Sequence, residues 1–190
     1  QFISRSAVGI YDTTHVHNEQ SAFYANDFLA AVCKSWEAAP AKVPATTKLI
    51  IIRLGVVLGM NGGMLKKLKP LFKLCLGGRM GSGHQAFPYI HIKDLCSAIQ
   101  HILKNTQPAD IYNLTTPETI SNFSFTKALA RALHRPSFFV IPAFMLKIFF
   151  GERSDLFLKG QKVIPENLLK EDFKFRFPDV NQSDFFQIDK

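Results

Sequence analysis

Cysteine is scarce in this sequence. Cys33, Cys75 and Cys96 lie far apart with no CxxC pair among them, which excludes a disulfide framework and a zinc ribbon and predicts a reducing, cytoplasmic setting. A long apolar run is missing as well. The longest, Ser137 to Phe150, contains Pro142 and Lys147 and falls short of the ~20 residues a membrane helix needs, so no membrane partner is expected. No basic-then-apolar leader opens the chain, and no signal peptide is read. Because Gln1 runs at once into a strand-like stretch, the chain reads as a piece of something longer. Gly-Lys-Ser/Thr does not occur, so there is no P-loop. No internal repeat and no low-complexity tract is found.

What is present is a globular composition: 190 residues, 47% hydrophobic, with 11 glycines and 10 prolines, enough for one sizeable core or two small ones. The net charge of +8 fits a polyanion, an anionic small ligand or no specific partner, and does not decide among them.

Phe2 to Val8 reads as a buried strand leading into a polar loop, Tyr11 to Gln20. From Tyr24 to Ala39, apolar residues at helical spacing (Phe28, Leu29, Val32, Cys33, Trp36) predict an amphipathic helix stopped by Pro40. Lys48 to Leu54 is a continuous β-branched run without alternation, the pattern of a parallel strand covered on both faces. Met64 to Cys75 reads as two short helical turns parted by Pro70, and a glycine-rich loop follows from Gly77 to Gly83. Further along, Phe87 to Ile92 is a short strand, Asp94 starts a helix through Leu103, and Ile111 to Leu114 is another strand. Asn122 is the expected N-cap of a helix to His134. Pro142 begins a helical stretch to about Phe150, and Phe173 to Phe177 alternates as an edge strand would. Alternating strands and helices predict α/β architecture with a parallel sheet, then a smaller mixed segment from about Thr116.

Gly81 to Ala86 (GSGHQA) matches the GxGxxA dinucleotide fingerprint, but Pro88 and extended-looking residues follow it. That fingerprint works only between a strand and a helix N-terminus, so a substrate loop is the reading preferred. His15, His17 and Glu19 offer two imidazoles at a spacing metals accept, yet no third partner is evident, and no metal is expected. The lysines from Lys66 to Lys73 are interleaved with leucines rather than exposed aromatics, which reads as a solvated helix face and not a nucleic-acid surface. His91, between Ile90 and Ile92, reads as a loop anchor or core histidine.

Several stretches add up to a resemblance: Ser6 to Tyr11 (SAVGIY), Trp36 to Ala39, Arg53 to Gly59 (RLGVVLG) with Gly62-Gly63, Leu76 to Gln85, Tyr89 to Leu95, and Gly160 to Pro165 (GQKVIP). In this order they resemble the atypical extended short-chain dehydrogenases/reductases, specifically their epimerase-like family with its own C-terminal domain. The resemblance implies the C-terminal half of a doubly wound Rossmann parallel sheet plus a smaller mixed α/β lobe. Residues 1–115 would form the second half of an NAD(P)-binding domain. Residues 116–190 would form a substrate-side lobe interleaved with the 77–92 loop region. Roughly 100 residues with the first βαβ units and the pyrophosphate-binding turn would precede Gln1.

It further implies NADP as cofactor, with NAD as the alternative, and a small-molecule substrate; nothing in the sequence sets the oligomeric state. Cofactor contacts are expected at Ser6, Ala7, Arg53, Gly55 and the Val56 backbone, and substrate contacts at Arg79, Ser82, His84, Gln85, Tyr89 and His91. Active members of this superfamily use a serine with a YxxxK helix, in which the tyrosine moves the proton and the lysine lowers its pKa. Ser6 matches the serine. If Glu37 matches the glutamate ending the helical motif, Leu29 stands at the tyrosine position and Cys33 at the lysine position, and neither can do that work. The expectation is an epimerase- or reductase-like protein without the usual pair. A silent cofactor-binding or interaction protein is the competing reading. For an active enzyme, Tyr11, Tyr89, His84 and His91 are the candidate proton donors.

Overall fold

The computed structural model describes residues 1–144, 148 and 158–186. Three parallel strands form the central sheet: β1 (Phe2–Ala7), β3 (Leu49–Leu54) and β7 (Ile111–Leu114), in the order β1-β3-β7. Their register sets Ala7 beside Leu54, and Leu54 beside Leu114, at the carboxyl edge. Helix α1 (Phe28–Ala38) connects β1 to β3. It begins at Asp27, whose side chain accepts the Ala30 N–H, and not at Tyr24, because this cap satisfies a first-turn donor. Within the loop before it lies β2 (Val16–His17), which pairs in parallel with β9 (Lys162–Val163).

Past Leu54 the chain forms β4 (Val56–Leu58) and α2 (Gly63–Lys73). This helix is continuous, contrary to the two turns expected at Pro70. The proline sits on the exposed side, where a carbonyl left without its N–H partner can turn to water. The glycine-rich loop likewise contains a strand, β5 (Gly78–Met80), paired with β8 (Phe139–Ile141). Gly78 permits that pairing, since a Cβ there would lie 2.0 Å from the Phe139 carbonyl oxygen. Gly81 and Gly83 then adopt positive φ in a turn and lead to β6 (Tyr89–His91), the parallel partner of β4. No helix follows Gly81 to Ala86 directly, which removes the GSGHQA stretch as a pyrophosphate turn.

Helix α3 (Ile92–Lys104) is capped by His91, whose side chain accepts the Lys93 N–H, so Asp94 lies inside the first turn. Helix α4 (Asn122–Ala132) is capped by Ser121 and not by Asn122; the Asn122 Oδ1 instead accepts the Met80 N–H at 2.9 Å. A short helix α5 (Glu166–Lys170) follows β9. The helix expected from Pro142 to Phe150 lies largely outside the described residues. Phe173 to Phe177 is not a strand. The Arg176 and Phe177 N–H groups are taken by the buried Asp94 carboxylate at 2.9 Å each, and Phe177 fills a core cluster with Tyr89, Phe125 and Phe185. A second cluster of Ile50, Ile52, Ile90, Leu95, Ile102, Tyr112 and Leu114 packs the sheet against α3. The molecule is an α/β fold whose paired strands are all parallel among the described residues.

Candidate functional site

A cavity of about 290 Å³ opens at the carboxyl edge of the sheet, lined on one side by Ala7, Val8 and Gly9 and on another by Leu54, Gly55 and Val56. Ligands of open parallel sheets bind at this edge, because connections leaving neighbouring strands in different directions open a crevice there. Both strand ends approach the cavity through glycine. A Cβ on Gly9 would lie 2.4 Å from Leu29 Cδ2, and one on Gly55 would lie 2.9 Å from the Pro88 carbonyl oxygen. Leu29 packs against Gly9 and forms part of the wall, as do Met64, Met80, Phe87 and Pro88.

Of the residues that the sequence assigns to the site, Ala7, Gly55, Val56 and Gln85 line this cavity. Val56 donates its N–H to the Pro88 oxygen at 2.8 Å, so what it offers a ligand is its side chain and not a free donor. Ser6 is buried beside the Cys33 thiol and outside the lining. Arg53 is also outside the lining. Its guanidinium makes two 2.8 Å bonds to Glu37, and Nη1 donates to the Tyr11 hydroxyl at 2.7 Å.

Arg79, Ser82, His84, Tyr89 and His91 do not reach the cavity either. The Arg79 guanidinium lies over the Phe123 ring, and His84 is exposed, its backbone N–H on Ser82 Oγ at 3.3 Å. Tyr89 donates to Glu118 at 3.1 Å, and burial followed by the neighbouring Glu118 charge pushes its hydroxyl well above the ordinary range. Tyr11 is raised by burial, against the lowering effect of Arg53. His91 is buried against Phe177, with ring centroids 4.0 Å apart. The four candidate proton donors thus all stand outside the cavity wall. Burial also pushes the Cys33 thiol up, as its apolar neighbours imply.

Sequence reasoning missed the charged groups that do line the cavity, Asp27 and Lys159. Asp27 caps α1 through Oδ1, and its Oδ2 lies 3.6 Å from Lys159 Nζ. The C-terminal segment brings Lys159 and Gln161 to the wall by crossing directly over Ala86. A Cβ on Gly160 would lie 1.7 Å from the Ala86 carbonyl oxygen, so only glycine allows that crossing. Glu19 secures the same segment: its buried carboxylate accepts from Asn113 N at 2.9 Å, Glu166 N at 3.1 Å and Asn167 N at 3.4 Å. The available signal was the GQKVIP stretch itself, which starts one residue after Lys159. Among the described residues no cluster of three metal-ligating side chains occurs.

A cavity at the carboxyl edge of a parallel sheet is the ligand crevice of a Rossmann-like α/β fold. Comparison with known proteins narrows this. The chain is 37% identical over 183 residues to an epimerase family protein SDR39U1 homolog, chloroplastic, of Arabidopsis thaliana, covering 95% of this chain and 52% of the relative. The crystal structure of human epimerase family protein SDR39U1 (isoform 2) with NADPH matches with a TM-score of 0.90 at 34% identity, covering 97% of this chain and 63% of that one. A nucleoside-diphosphate sugar epimerase from Corynebacterium glutamicum matches with a TM-score of 0.74 at 32% identity, over 95% of this chain and 36% of that one. Residues 141–183 match a domain of unknown function, DUF1731. These likenesses group the chain with the epimerase-family proteins of the SDR39U1 type. It spans about half the length of the curated relatives it matches.

Proposed function

We propose that the cavity is the nicotinamide side of an NADP(H) site, with NAD the alternative cofactor, in an epimerase- or reductase-like protein acting on a small molecule. The observation that carries this reading is the convergence of Ala7–Gly9 and Leu54–Val56, at the ends of neighbouring parallel strands, on one cavity. Glycine at both ends lets Leu29 and the Pro88 backbone pack directly on the strand ends, which gives the cavity an apolar wall suited to a ring. When bound, the cofactor supplies hydride to, or takes it from, a substrate carbon. Ala7, Val8, Gly55 and Val56 would hold the ring, while Leu29 and Met64 would exclude water. The pyrophosphate would rest on the preceding segment that the resemblance implies, residues 1–115 completing that domain and 116–190 closing over the substrate. The three free thiols support a reducing compartment such as the cytoplasm. No described helix is long and apolar enough to cross a membrane, and the cavity favours a small molecule over nucleic acid. The test is NADPH titration, by fluorescence, of the protein carrying the preceding segment and of its Ala7→Trp variant, in which an indole fills the cavity. Saturable binding that Ala7→Trp weakens at least tenfold supports the reading; equal affinity in both proteins contradicts it.

A further inference from the structure

Two carboxamides in the cavity wall have hydrogen-bonding capacity that the fold leaves unused. Asn122 is 2% exposed and Gln161 9%, and both line the cavity. Met80 orients the Asn122 amide: its N–H requires an acceptor and takes Oδ1 at 2.9 Å, which leaves Nδ2 with two N–H groups as the free side of the amide. Among the described residues nothing accepts from Nδ2, and nothing bonds the Gln161 side chain. Buried polar groups are nearly always paired, so two unspent carboxamides in one cavity mark groups kept for a ligand.

The helix start beside Asn122 has no other donor to give. The N–H groups of Asn122 and Phe123 go to the Gln85 and Gly83 oxygens at 2.9 Å each, and that of Ser124 goes to Ser121 Oγ at 3.1 Å. An anion seated on a helix N-terminus needs such donors free. The charged side chains of the described wall, Asp27 and Lys159, are 31% and 45% exposed, so its buried part is uncharged. Neither carboxamide belongs to the strand ends that would hold the ring: Asn122 begins α4, and Gln161 directly precedes β9.

We propose that Asn122 and Gln161 determine substrate specificity in this cavity and select an uncharged hydroxycarbonyl compound. Asn122 Nδ2, a donor only, takes the carbonyl oxygen; the Gln161 carboxamide, which donates and accepts, takes a hydroxyl. This rests on the reading of the cavity as a cofactor site with its substrate. A site with unspent donors and acceptors discriminates against analogues lacking the matching group, because binding them strands its own polar atoms.

The experiment follows the side-chain NH2 signals of the 15N-labelled protein carrying its preceding segment, without cofactor, during titration with cyclohexanone and with 2-hydroxycyclohexanone. Both probes should shift the Asn122 NH2 pair saturably, and the hydroxyketone should bind more tightly and also shift the Gln161 pair. Asn122→Asp keeps the acceptor for the Met80 N–H and loses the donor, so it should weaken both probes at least fivefold, roughly the worth of one hydrogen bond. Gln161→Met should abolish the gain from the hydroxyl, leave cyclohexanone affinity unchanged, and unfold at the same or a higher urea concentration than the parent, since it removes an unpaired buried group. A structural role for Gln161 predicts a lower one. The proposal is overturned if cyclohexanone does not shift the Asn122 pair, if folded Asn122→Asp binds it like the parent, or if Gln161→Met binds the hydroxyketone like the parent or is destabilised. NADPH is titrated separately. A tenfold loss of NADPH affinity in Gln161→Met would give the carboxamide to the cofactor and overturn the substrate assignment. Absence of NADPH binding in the parent, with the probes behaving as expected, would remove the cofactor reading and leave the carboxamide site standing.

Discussion

Arg53 and Glu37 meet in a two-bonded ion pair, Nε to Oε1 and Nη2 to Oε2 at 2.8 Å each, that fastens α1 to the middle strand of the sheet. Arg53 keeps 2% of its side-chain exposure and Glu37 14%. The sequence pointed to Arg53 for its place before Gly55, and the structure gives that place a packing role.

Removing one member of such a pair leaves a charge uncompensated in a buried setting. Arg53→Met is expected to destabilise the fold by about 3–5 kcal/mol, read from the urea midpoint at unchanged slope. A loss below about 1 kcal/mol would show that Glu37 finds another partner.

Cys33 is buried in a cluster with Val8, Ile10 and Tyr11, while Cys75 and Cys96 are exposed. With its thiol pushed up by burial, Cys33 should stay unreactive toward a disulfide reagent in the native protein and react only on unfolding, whereas the other two react at once. Cys33→Ala should cost about 1 kcal/mol and leave NADPH affinity within a few-fold. Loss of affinity in a folded Cys33→Ala protein would make the thiol part of the site.

Asp94 holds the N–H groups of Arg176 and Phe177 with both carboxylate oxygens. Asp94→Ala strands two donors, and at roughly 1–3 kcal/mol for each unsatisfied buried group the segment around Phe177 should become the first site of limited proteolysis. Cleavage elsewhere at parent rates would contradict this.

Asp12 accepts N–H bonds from Thr14 at 2.9 Å and His15 at 3.0 Å, and its other oxygen meets His15 Nδ1 at 2.7 Å. Partial desolvation raises its pKa, but these bonds outweigh it and hold the carboxyl below its usual value of 3.8. A depressed folded-state pKa means stability that is present above the unfolded value and lost as pH falls through the folded one. Asp12→Asn should therefore flatten the acid limb of the stability profile below about pH 4, checked by thermal unfolding from pH 2 to 6. An unchanged limb would contradict the assignment.

The core strands were legible because a strand covered on both faces needs an apolar run, as Leu49 to Ile52 shows. Strands β4 and β5 were not, because Gly55 and Gly77-Gly78 imitate turns where glycine in fact allows backbones to pass closely. The alternation of Phe173, Phe175 and Phe177 imitated a strand, while their N–H bonds went to a side chain. Ala7, Gly55 and Val56 reach the cavity because strand ends are readable; Asp27 and Lys159 were unreadable because one looks like a cap and the other approaches across Gly160.

The most direct measurement is a crystal structure of the protein carrying its preceding segment, soaked with NADPH. The account predicts the nicotinamide ring in the cavity between Ala7–Gly9 and Leu54–Val56, within van der Waals contact of both strand ends. A nicotinamide bound elsewhere, with this cavity filled by side chains or solvent, would contradict it.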